Sequence, residues 1–295
     1  MSKKLKAIVY LFIATLIWGS AFTAQSIGMD YIGPFTFQAS RSILAAIFLF
    51  PISYVMDTDK PRFRQKWTDP TLWKAGFFCG VCLFLAAGMQ QVGLIHTSAG
   101  KAGFITTLYI VLVPMLGIFL GHRPPFTAWI GVGLAVFGMF LLSGAGVEPL
   151  HYSDILLISC AFFFAVHITL VDRYISRMDG VKLSCVQSLV CAILSICAAL
   201  LTEQIRMDDL LACTGPILYA GVVSMGIAYT LQILGQRDLP PTPAALIMSL
   251  ESVFALLTGW LILKERMQSR ELLGCALVFC AVILSQIPVG QKAAK

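Results

Sequence analysis

Long apolar runs separated by short polar gaps constrain this chain more than any motif does. Ten of them lie near 7–28, 35–55, 73–92, 97–120, 126–143, 153–171, 183–202, 210–234, 242–263 and 271–288. Each is long enough to cross a bilayer, which takes roughly 17–25 apolar residues in a helix. The gaps carry turn residues: Gly33-Pro34, Pro124-Pro125, Pro240-Pro241 and the stretch from Gly144 to Pro149. None of the gaps is long enough to fold as a soluble domain. The expected fold is an all-α integral membrane protein with ten transmembrane helices.

Composition points the same way, with 58% hydrophobic and 12% charged residues in a chain of 295. Soluble proteins carry about 45–50% and about 25% respectively. A net charge of +6 in a soluble protein would suggest an acidic partner, but here the cations sit in the gaps, and with no basic-aromatic cluster nucleic acid is not an expected partner. An inward N-terminus and ten spans place fifteen of the 21 Lys and Arg on the inner side and four on the outer, with Arg41 and Lys101 inside spans. The positive-inside bias therefore puts both termini in the cytoplasm and the chain in the inner (plasma) membrane. The dissenting outer loop is "KERMQSRE", which contains Lys264, Arg266 and Arg270.

The first run, with Lys3, Lys4 and Lys6 ahead of it, also has the look of a signal peptide. An internal repeat argues for keeping it. At an offset of 142, Gln90 meets Gln232, Gly93 meets Gly235, Tyr109 meets Glu251 and Gly117 meets Gly259; one residue of slippage brings Gly131 onto Gly274. An offset near 146 brings Gly19 onto Ala165 and Arg41 onto Gln187. The chain thus divides into two five-helix repeats, 1–145 and 146–295. Five is odd, so the second half is inverted, the plan of many secondary transporters with a substrate site between the halves.

The nine cysteines are scattered through apolar runs, and the lone Cys79-x-x-Cys82 has no second pair or nearby histidine to complete a zinc site. They read as small buried hydrophobes. No Ser-His-Asp order, H-E-x-x-H, P-loop or dinucleotide fingerprint is present. Neither enzyme chemistry nor a cofactor is expected, and movement of a solute would follow its own gradient or that of a coupled ion or second solute.

"ATLIWGSAF" from Ala14 to Phe22, Arg41 in "QASRSILAAI", and "LESVFALLTGWLILKERM" followed by "LLGCALVFCAVILS" resemble EamA-type carriers of the drug/metabolite transporter superfamily. The resemblance spans the whole chain and implies transport without naming a solute; "TSAGKAGFITTLY" resembles a subgroup of that family. The chain departs from the family pattern at Ser252, where proline is common, at Tyr109, which faces Glu251 in the repeat alignment, and at His122-Arg123. The missing proline argues against a local helix break at Glu251.

Ionisable groups inside spans cost at least a few kcal/mol, so each is a candidate to face a cavity or a partner. Glu251, near the middle of the ninth run, reads as a coupling carboxylate, a ligand for a cationic group, or a member of a structural ion pair. Arg41 reads as an attractor of anionic solutes or as a structural cation. Gln90, Gln91, Gln187 and Gln232 offer neutral donors and acceptors for interhelical bonds or for a cavity lining. Trp18, Tyr109 and Tyr229 lie well inside their runs, where aromatics with a polar tip pack in a core or stack on a planar solute. His167 sits among phenylalanines as a bonded core residue or a proton relay. Lys101 lies about one turn inside the outer end of its run, where it can snorkel, so an outer-rim anchor or gate comes first and direct solute contact second.

The candidate substrate-binding set is Trp18, Arg41, Gln91, Lys101, Tyr109, His167, Gln187, Tyr229, Gln232 and Glu251. The expected function is secondary transport of a small-molecule solute across a lipid bilayer by alternating access, with export of an amino acid or related amphiphile first. Uptake or exchange of an anionic metabolite is the alternative, and a membrane enzyme or lipid scramblase is the alternative of another class. A homodimer is left open.

Overall fold

A computed structural model describes residues 2–57, 60–97, 99–121, 124–142, 151–262 and 269–286. The expectations for Gly144 to Pro149, His122-Arg123 and most of "KERMQSRE" lie outside the described residues. Among the described residues the chain is helical, with no strand. Eight helices are long and apolar enough to cross a membrane by length and composition: α1 (Lys3–Met29), α2 (Pro34–Val55), α3 (Pro70–Leu94), α4 (Lys101–Phe119), α6 (Tyr152–Ile175), α7 (Gly180–Thr202), α8 (Thr214–Gln236) and α9 (Pro241–Ile262). Two more, α5 (Phe126–Leu142) and α10 (Ser269–Gln286), have apolar stretches of Phe126–Leu141 and Leu272–Leu284, shorter than expected.

Several helices begin where the sequence supplies a cap. Asp69 accepts from the Thr71 amide ahead of α3, with Pro70 in the first turn, where its missing N–H has no helical partner to lose. Asp179 accepts from the amides of Val181 and Lys182 at the start of α7. His151 and Asp154 form a reciprocal capping box on α6.

Two helices are interrupted at matching places. The α4 ladder breaks between Thr106 and Tyr109, and α9 breaks at Ser249, between Met248 and Leu250. In both, a hydroxyl turns back on its own helix: Thr107 donates to the Gly103 carbonyl at 2.9 Å and Ser249 to the Leu246 carbonyl at 2.7 Å. Hydroxyls that bond backward in this way compete with the helix and bend it. The break expected to need a proline at position 252 is therefore present without one, two residues ahead of Glu251. In α8, residues Tyr219–Ala228 form a π-helical segment, a feature found mostly at functional sites.

The packing repeats under a shift of five helices. Helix α1 packs on α8 and α9 as α6 packs on α3 and α4, and α3 packs on α7 as α8 packs on α2. The pairs α2·α7, α4·α9 and α5·α10 are each their own counterpart. Close approaches recur in the same way. A Cβ on Gly93 would come within 2.9 Å of Leu157, and one on Gly235 within 2.7 Å of Leu11. Gly93 and Gly235 are 142 apart, and Leu11 and Leu157 are 146 apart.

Outward faces are apolar, as with Ile47, Phe119 and Leu201, the reverse of a soluble protein. Cys79 is buried beside Leu72, Ala75 and Val186. Cys197 and Cys280 are exposed on the outer surface, which corrects the expectation that all nine cysteines are buried; a thiol is apolar enough to sit on a lipid-facing side.

Candidate functional site

A cavity opens where α1, α2, α3, α4, α6, α8 and α9 converge. Its volume is about 40 Å³. That suffices for a few waters, so a larger solute fits only when the lining moves. Trp18, Phe22 and Gln25 share one face of α1 at steps of four and three residues, as helical periodicity requires. Phe164 and Ile168 face them from α6, Met248 and Glu251 from α9, and Tyr109 from the start of the second segment of α4. Gln90 enters from α3, Arg41 from α2, and Ser224, Tyr229 and Gln232 from α8.

Several of these residues are related by the repeat. Trp18 and Phe164 are 146 apart, as are Phe22 and Ile168; Gln90 and Gln232 are 142 apart, as are Tyr109 and Glu251. The two halves thus contribute matched positions to one space. Aromatic rings form its walls. Trp18 and Tyr229 pack at 4.8 Å between centroids with their planes tilted by 58°, and Tyr109 meets Phe164 edge-on at 6.5 Å.

The polar groups are incompletely satisfied. The Arg41 Nη1 donates to Gln25 Oε1 at 2.6 Å, while its Nε has no partner. The Tyr109 hydroxyl lies beside the Glu251 carboxyl without closing a full hydrogen bond. Gln232 donates to Gln236 Oε1 at 2.9 Å, but its own Oε1 is unpartnered, as is Trp18 Nε1. A buried polar atom without a partner costs about 1–3 kcal/mol, and four such atoms around one cavity make it the candidate site.

Six of the ten expected site residues meet here: Trp18, Arg41, Tyr109, Tyr229, Gln232 and Glu251. His167 and Gln187 form a buried pair behind the wall, Nε2 to Oε1 at 3.0 Å, with the imidazole edge-on to Tyr229 at 6.1 Å. Gln91 is buried and donates to the Gln25 carbonyl at 3.4 Å. Lys101 lies away from the cavity and pairs with Asp154 at 3.0 Å, tying α4 to the capped start of α6.

The sequence reading missed Gln25, Phe22, Phe164, Ile168, Ser224 and Met248. Phe164 and Ile168 could have been found by carrying Trp18 and Phe22 across the 146 offset, and Gln25 by following the Trp18 face two turns on. Ser224 left no such trace.

Two further clusters hold the ends of α2·α7. The Glu203 carboxylate, just past α7, accepts from the Phe35 and Thr36 amides at 2.7 and 2.8 Å and from the Thr36 hydroxyl at 2.6 Å. At the other end Asp57, just past α2, accepts from Lys182 at 2.5 Å and from Lys66 at 2.6 Å. Asp57 and Glu203 are 146 apart, and so are Thr36 and Lys182.

Comparison with known proteins follows the same division. The model of the EamA-like transporter family matches residues 5–144 and again residues 151–286. A protein of Archaeoglobus fulgidus named an uncharacterized transporter is 32% identical over 292 residues, covering 97% of this chain and 88% of its own. The S-adenosylmethionine/S-adenosylhomocysteine transporter of Chlamydia muridarum is 22% identical over 301 residues, 92% of this chain and 91% of its own. A probable terminal-alkyne amino-acid exporter of Streptantibioticus cattleyicolor is 25% identical over 188 residues, 61% and 59% of the two chains. A solved crystal structure superposes with a TM-score of 0.78 at 18% identity, over 95% of this chain and 96% of that one, and shares the fold. With the family matched twice along nearly the full length and a relative at 32% identity, the chain belongs to the EamA-like transporter family, of the drug/metabolite transporter type, and is a multi-pass membrane protein.

Proposed function

We propose that this protein is a ten-span secondary carrier that exports an amino acid or a related small amphiphile by alternating access, with its two halves, 1–145 and 146–295, as inverted repeats. The observation that carries this reading is the cavity lined by matched positions of the two halves, Trp18 with Phe164, Phe22 with Ile168, Gln90 with Gln232 and Tyr109 with Glu251. A site on the axis between inverted repeats can be exposed to either side by rocking one half against the other. The packing that repeats under a shift of five helices and the two family matches support the division. The Lys/Arg bias supports an inner-membrane setting with both termini in the cytoplasm. Relatives named as an amino-acid exporter and as a transporter of S-adenosylmethionine, an amino-acid derivative, support the solute class.

Exchange of an anionic metabolite is the second reading, favoured by the absence of an acidic partner for Arg41 among the described residues. It is opposed by Glu251 in the same cavity and by the pairing of Lys101 with Asp154 outside it. The test is efflux from proteoliposomes loaded in turn with amino acids, nucleosides, sugars and organic acids. Selective amino-acid flux supports the first reading and selective organic-acid flux the second. Lipid flipping without flux of any solute would overturn both.

A further inference from the structure

We infer that the cavity is a two-pole receptor for a zwitterion, in which Arg41 receives the carboxylate and Glu251 the ammonium of an α-amino acid with an apolar side chain. This inference rests on the carrier reading above and names its solute class.

Both ionisable side chains are deeply buried, Arg41 at 4% exposure and Glu251 at 5%. Neither makes an ion pair with any described residue. The nearest strong partner of Arg41 is a neutral amide, Gln25 Oε1, and the neighbour of Glu251 is a neutral hydroxyl, that of Tyr109. The two do not neutralise one another either. Arg41, Glu251 and Tyr229 line the same cavity, and no ion pair joins the first two. The cavity therefore presents a basic and an acidic side chain that do not pair with each other.

A buried charge is expensive until it meets an opposite charge with good hydrogen bonds. A monovalent solute satisfies one pole and leaves the other unpaired. A zwitterion satisfies both in one event and enters with no net charge. The Nε of Arg41 is still free to donate, which completes a two-donor fork for a carboxylate. Around the poles lie Phe22, Phe164, Ile168 and Met248, with the Trp18–Tyr229 pair, an apolar surface for the side chain of the amino acid.

The repeat explains why the two poles come from different halves. The counterpart of Arg41 is Gln187, already engaged with His167, and that of Glu251 is Tyr109. The first half keeps the positive group and the second half the negative one. A bound zwitterion is thereby aligned across the interface that has to rock, with one end held by each half.

The experiment measures binding to the purified full chain by thermal shift and isothermal titration, using phenylalanine, phenylalaninamide and N-acetylphenylalanine. On the wild type, phenylalanine should bind at least about tenfold more tightly than either capped form, since each cap leaves one buried charge unpaired. Arg41→Gln should bring phenylalanine down to the level of its amide on the wild type. Glu251→Gln should bring it down to the level of the N-acetyl form, and Arg41→Lys should retain part of the preference. Should either Gln variant fail to give a monodisperse peak in size exclusion, the three-ligand comparison on the wild type decides alone. Equal binding of the capped and uncapped forms, or no binding of phenylalanine, overturns the two-pole site. If another solute then crosses proteoliposomes, the carrier reading stands without it; if none does, that reading falls too.

Discussion

Lys182 is buried to about 1% exposure, with its ammonium 2.5 Å from Asp57 and 4.9 Å from the face of Phe63. A cation this deep is tolerable because Asp57 neutralises it, with the Asp179 carboxylate a further 3.7 Å contact, and Asp57 in turn is shared with Lys66. Removing one member of such a pair typically costs about 3–5 kcal/mol. Asp57→Asn should therefore lower the detergent-solubilised melting temperature strongly, whereas exposed Lys3→Gln should leave it unchanged; equal melting curves would remove the pair from the account of stability. Lys101 is a milder case. Its side chain is about one-fifth exposed and bonded to Asp154, and such pairs contribute up to ~1 kcal/mol. Lys101→Met should keep solute affinity and lose no more than that in stability. A selective loss of binding would place Lys101 in the solute path after all.

At the scale of the helix, the interruptions at Thr107 and Ser249 precede Tyr109 and Glu251 by two residues each. At both, a hydroxyl bonds back to its own helix, at 2.9 and 2.7 Å. Ser249→Ala removes one such bond, at a cost in stability of about 1 kcal/mol or less. It should slow transport several-fold while leaving helical content by circular dichroism unchanged. An unaltered rate would show that α9 does not bend during transport. Much of this was legible in the sequence. The apolar runs locate the long helices, and the 142 offset pairs Tyr109 with Glu251. The interruption of α9 is not legible, because no proline marks it and a serine within an apolar run is an ordinary helix residue. Asp57 and Glu203 were also passed over. A carboxylate at a helix end reads as solvated, and only the antiparallel packing of α2 on α7 brings it to the other helix's N-terminus.

Across the whole molecule, one offset logic recurs in the cavity, in the glycine contacts of α3·α6 and α8·α1, and in the two carboxylate clasps of α2·α7. The halves share a backbone plan and differ in charge. Arg41 stands against Gln187, and Glu251 against Tyr109, so the site is symmetric in shape and polar in content. The sequence exposed the shape through repeated glycines and glutamines. It left the site composition partly hidden, because Gln25 and Ser224 align with Val171 and Cys82, which are apolar and give no signal. The decisive measurement is counterflow in proteoliposomes preloaded with unlabelled phenylalanine. The wild type should transiently concentrate labelled phenylalanine above its external level, and Ser224→Trp, which fills the cavity, should abolish this without loss of the folded protein. Uptake untouched by filling the cavity would contradict a carrier that works through the space between its two halves, and uptake no faster than in protein-free vesicles would remove phenylalanine as its solute.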